Sequence, residues 1–137
     1  MRGLTGAVGR AALAYFALVF AAGFMLGTVR VLVVAPRWGE LPAVLVESPL
    51  MLLASWLACG WSVRRFGVRG RRAGLAMGAA AFGLLMAAEF ALSWLAFGRS
   101  AAEYLRALGE PAGAVGLASQ AVFAVLPWVR AGGSNRA

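Results

Sequence analysis

Four long stretches of the chain lack the alternation of apolar and polar positions that a soluble helix shows. They cover about residues 11–35, 41–63, 73–98 and 112–129, and each is interrupted by one strongly polar side chain: Arg30, Glu47, Glu89 and Gln120. A surface helix of a soluble protein keeps a polar face along its length, and these stretches have none. A helix that spans a bilayer needs about 20 largely apolar residues, so the pattern predicts four spans, the fourth, with Gln120 and Pro127, only just qualifying. Arg2 and Arg10 ahead of the first stretch also resemble the start of a signal peptide. Its apolar run, however, exceeds the roughly 7–15 residues of such a peptide and flows into Thr28, Val29 and Arg30, so it reads as a retained span. Residues 130–137 form a tail whose Gly, Ser and Asn predict no order. The fold class expected is an all-α membrane protein. Residues 1–137 form one domain of four transmembrane helices in an antiparallel bundle.

The connections carry the orientation. Residues 64–72 hold five arginines, Arg64, Arg65, Arg69, Arg71 and Arg72, and the tails add Arg2, Arg10, Arg130 and Arg136. The other connections hold Arg37, Arg99 and Arg106, offset by Glu40, Glu103 and Glu110. Positive charge stays on the cytoplasmic side, which places both termini and the 64–72 loop there, in the inner membrane of a bacterial cell. Trp38, Trp61, Trp94 and Trp128 fall at the expected interfaces, whereas Trp56 lies deeper and reads as packing. Between spans three and four, Ser100 and Glu103 have the spacing of a capping box, and Leu105 and Leu108 share a face opposite Glu103 and Arg106. A short interfacial helix is expected there, ended by Gly109, with Pro111 opening span four. The arginine loop is a topology determinant suited to anionic lipid headgroups; with one aromatic residue it makes no nucleic-acid module.

Composition sharpens this by exclusion. The 137 residues are 62% hydrophobic and 13% charged, with mean hydropathy +0.81 and net charge +8. An ordinary soluble domain carries about 25% charged residues, so neither that class nor intrinsic disorder fits. All 13 basic residues are arginine, all five acids are glutamate, and there is no His, Asp or Lys. Triads that use histidine are therefore excluded, and the single Cys59 offers neither an internal disulfide nor a metal site. No cofactor and no catalytic residue is expected.

The chemistry left is inside the membrane. At about 1.5 Å of rise per residue, Arg30, Glu47, Glu89 and Gln120 lie roughly 8, 9, 14 and 12 Å below the outer ends of their spans, in one polar layer. Charges at such depth face the bundle interior or a wet cavity and pair with one another. Arg30 can fork onto one carboxylate, and the spare is expected to be Glu89, the deepest of the four. Arg37 and Glu40 repeat the Arg30–Glu47 spacing at the rim and are expected to pair across the turn at Pro36 and Gly39, giving a two-rung ladder. Pro49 is expected to kink span two near Leu45, with Ser48 available to the backbone. Gly23-x-x-x-Gly27 and Gly74-x-x-x-Gly78 make grooves for a helix of this chain or of a second copy. Two functions follow. The first is a non-catalytic accessory or assembly subunit whose polar layer fixes the fold or meets a membrane partner. The second is a homo-oligomeric, proton-coupled transporter of a small cationic solute that uses the buried glutamates.

Overall fold

Helix propensity and the demand that every backbone group be satisfied inside the chain produce an all-helical structure. The computed structural model describes residues 2–133: α1 (Arg2–Val29), one π-helical turn (Arg30–Val34), α2 (Ala35–Trp38), α3 (Glu40–Phe66), α4 (Arg71–Phe97), α5 (Ala101–Leu108) and α6 (Pro111–Gly133). Four helical segments are long and apolar enough to cross a membrane: Gly6–Trp38, Glu40–Phe66, Arg71–Ala96 and Pro111–Gly133. The first is α1, the π turn and α2 taken together. The fourth extends past Val129, so Arg130 and Ala131–Gly133 are helical rather than tail; residues 134–137, with Arg136, lie outside the described residues.

Local signals set the ends. Gly67 closes α3 in the left-handed region at φ 66°, where a side chain would be strained, and the N–H groups of Gly67 and Val68 both donate to the Val63 carbonyl. Ser100 caps α5 as its spacing predicts: its Oγ accepts from the Glu103 N–H at 3.2 Å. α3 runs unbroken through Pro49, and the Ser48 hydroxyl donates to the Val44 carbonyl at 2.8 Å.

The long helices form a ring in which α1 touches α3 and α4, and α6 touches the same two. α3 and α4, although joined by only four residues, face each other across the ring without backbone contact. The 67–70 turn therefore crosses the diagonal, and it carries Val68 into the middle, where it is 2% exposed. Below it the core is continuous: Ala11, Tyr15 and Val19 from α1, Cys59 and Val63 from α3, Met77, Ala81 and Leu85 from α4, Phe123 and Ala131 from α6. The Gly74/Gly78 groove is filled from within the chain, since a Cβ at Gly74 would meet the Pro127 carbonyl and one at Gly78 the Ala124 carbonyl. The Gly23/Gly27 groove takes only side chains, with Met51 Cε 3.2 Å from a Cβ at Gly23.

Pro127 lies inside α6 and cannot donate to the carbonyl one turn back, that of Phe123. Tyr15 replaces the missing donor: its hydroxyl bonds the Phe123 oxygen at 2.7 Å while its ring stacks on the Phe123 ring at 4.3 Å. Trp56 is corrected from its expected packing role. Its ring is partly exposed and lies beneath the Arg130 guanidinium at 3.9 Å, and Arg71 covers Trp128 in the same way at 5.1 Å.

Candidate functional site: a one-ended acidic vestibule

The ring that is packed shut beside Val68 opens toward its other end. A cavity of about 940 Å³ lies between the helices there, with Val19, Ser55, Leu85 and Phe123 at its base and α5 at its mouth. It is a vestibule with a floor rather than a channel, because Tyr15, Cys59, Met77 and Val68 fill the space beneath.

The four predicted polar residues all line it. Arg30 is the first residue of the π turn, whose Ala35 N–H reaches back five residues to the Arg30 carbonyl. Its Nε sits 2.6 Å from Glu47 Oε2, with the side chains 30% and 17% exposed. The contact is single and its N–H is not aimed at the oxygen, so the expected two-pronged fork is not formed. Glu89 is the carboxylate without an arginine, as expected, but it is not alone: the Gln120 amide donates to both its oxygens, at 2.6 and 2.7 Å. The polar layer is thus two pairs, one from the π turn and α3 and one from α4 and α6. The pairs feel each other, since Arg30 and Glu47 lie within electrostatic reach of Glu89.

The outer rung of the ladder does not form. Among the described residues Arg30–Glu47 is the close ion pair, and Arg37 and Glu40 are not joined. The π turn spends one extra residue, which rotates everything after it by about 100° and takes Arg37 off the face that carries Arg30. Glu40, in the first turn of α3, lines the vestibule while Arg37 does not.

Two further residues complete the site. Ser93 follows Glu89 by one helical turn on α4, is 9% exposed, and its Oγ has no partner. The spacing of four residues would have revealed it. Tyr104 reaches in from α5, packing edge-on against Phe90 at 5.6 Å with its hydroxyl 4.0 Å from Met86 Sδ. Burial, and then the nearby Glu89 carboxylate, push the Tyr104 phenol above the usual tyrosine range. Arg99, Glu103, Arg106 and Glu110 line the mouth. No group of three His, Cys, Asp or Glu side chains among the described residues could hold a metal ion.

Comparison with known protein families, curated sequences and solved structures returns no match. What the chain does must be read from its own geometry.

Proposed function

We propose that the protein is a non-catalytic membrane subunit that holds a ligand or partner group in its vestibule. In this reading the four spans cross the inner membrane in alternating directions. The termini and the arginine loop face the cytoplasm, where Arg64, Arg65, Arg69, Arg71 and Arg72 meet anionic headgroups, and the vestibule opens outward. The observation that carries it is the asymmetry of the bundle: a polar, open half above a dry, sealed one. Ligand sites are concave, mostly apolar pockets with a few convergent polar groups, of about 300–1,000 Å³. The paired layer lacks the histidine, free thiol or metal cluster that common catalytic chemistries use, and the sealed floor favours holding over passage.

Thiol labelling tests the reading. Gly116 lines the vestibule and a Cβ there meets nothing within 4 Å, so Gly116→Cys is a silent probe. Native Cys59, fully buried, is the internal negative control. In intact cells a membrane-impermeant maleimide should label Gly116→Cys and spare Arg69→Cys until the cells are permeabilised. The opposite pattern reverses the orientation, and no labelling at residue 116 in the folded protein removes the vestibule.

A further inference from the structure

All five carboxylates of this chain line one cavity. Glu40, Glu47, Glu89, Glu103 and Glu110 converge on the vestibule, whereas among the described arginine side chains only Arg30, Arg99 and Arg106 do. A protein of net charge +8 thus encloses an electronegative chamber, and low-dielectric walls focus that field on whatever enters.

The deepest part carries polar atoms that no described group fills. Arg30 and Glu47 offset each other, and Glu89 forms no ion pair of its own: the Gln120 amide bonds both its oxygens, with the Tyr104 hydroxyl and, farther off, Arg30 on its other sides. Gln120 Oε1 is buried without a partner, and so is Ser93 Oγ, one turn beyond Glu89. A buried acceptor left unmade costs about 1–3 kcal/mol, so two beside one carboxylate describe a place for a donor the chain does not supply. A primary ammonium has three N–H donors and one positive charge, and Glu89, Gln120 Oε1 and Ser93 Oγ offer three acceptors and one negative charge. Around them Phe20, Phe24, Leu85, Leu92 and Phe123 make an apolar wall. A bare metal ion does not suit this set, for among the described residues no three ligating side chains cluster.

We infer that the vestibule binds a protonated primary amine with an apolar body, its ammonium held by Glu89, Gln120 and Ser93 and its body against the aromatic wall. This rests on the vestibule reading above. The amine is either a free organic ammonium or the headgroup of an aminophospholipid, which share the recognised group.

The test uses the full chain in phosphatidylcholine nanodiscs, with calorimetric titration of butylammonium, 2-phenylethylammonium and dodecylammonium. Neutral 2-phenylethanol and the quaternary tetraethylammonium are the contrasts. The expected result is saturable binding of at least one primary ammonium, with neither contrast binding. Glu89→Gln should weaken it about ten- to a hundredfold, the loss of a charge-assisted bond, and Ser93→Ala less. Glu103→Gln at the wet mouth, which leaves the fold untouched, should weaken it roughly two- to fivefold, and less so in high salt. Phosphatidylethanolamine added to the disc competes if the source is lipid and does not if it is a free amine; both results support the ammonium. Binding of the alcohol as tightly as the amine, or equal affinity in folded Glu89→Gln, overturns the inference. So does failure of all three amines while Gly116→Cys still labels, which leaves the vestibule reading standing; failure of both removes the two together.

Discussion

Replacing Tyr15 by Phe removes one oxygen atom and tests the least expected contact in the core. The hydroxyl bonds the Phe123 carbonyl at 2.7 Å in a layer where Tyr15 is 0% and Phe123 1% exposed, so no water can take its place. The stacked ring remains, and packing loss is small. An unmade buried acceptor costs about 1–3 kcal/mol. Interhelical hydrogen bonds in a membrane protein average about 0.6 and reach about 1.7 kcal/mol. A loss of about 1–2 kcal/mol is expected, a factor of roughly 5–30 in the folding equilibrium. The sharper test is the background. Pro127→Ala restores an N–H one turn after Phe123, and the freed carbonyl gains a donor from its own helix. In that background Tyr15→Phe should cost about 0.5 kcal/mol or less, a coupling that a double-mutant cycle isolates from any cavity left by the proline ring. Unfolding in mixed micelles, followed by circular dichroism, gives the four stabilities. An equal loss from Tyr15→Phe in both backgrounds would refute the account of Tyr15 as the stand-in donor.

Other positions make plainer demands. Gly78→Ala drives a Cβ into the Ala124 carbonyl and should cost about 1–3 kcal/mol by the same assay, while Gly83→Ala, which meets nothing within 4 Å, should stabilise by about 0.5–1 kcal/mol. Val68→Ala trims the plug and should cost about 1.5–3 kcal/mol, with native Cys59 becoming reactive toward maleimide sooner than in wild type. Arg30→Leu leaves Glu47 without its partner and should lower folded yield more than Arg30→Leu/Glu47→Leu does; a double variant worse than the single would contradict the pairing.

The spans and the cap of α5 were legible in the sequence because both are local. A run of apolar residues sets a span, and Ser100 reaches only three residues to bond the Glu103 N–H. The four polar residues could be placed in one layer by counting rise per residue, and all four line the cavity. Which of them pair was only half legible. Arg30 and Glu47 meet across a turn close in sequence, but Gln120 meets Glu89 because α4 and α6 are ring neighbours. The Arg37–Glu40 rung failed because a π turn rotates the chain between two residues whose spacing assumed an α-helix. The diagonal placement of α3 and α4 was hidden too, since a four-residue link suggests neighbours and nothing in it announces that Val68 turns inward. Pro127 looked like a weakness of span four, and only the approach of α1 makes it a docking point for Tyr15.

The floor of the vestibule also decides where a membrane potential is felt. Water in the open half carries the potential of the side it faces inward, so nearly the whole voltage drop falls across the packed layer from Tyr15 and Phe123 to Val68. Moving one elementary charge through the full drop involves about 2.3 kcal/mol per 100 mV. A cation that settles at Glu89 crosses little of that drop, so its binding is nearly blind to voltage. The sealed half becomes a thin insulator under a concentrated field, and a charge introduced there would respond to the potential far more strongly than any residue of the polar layer.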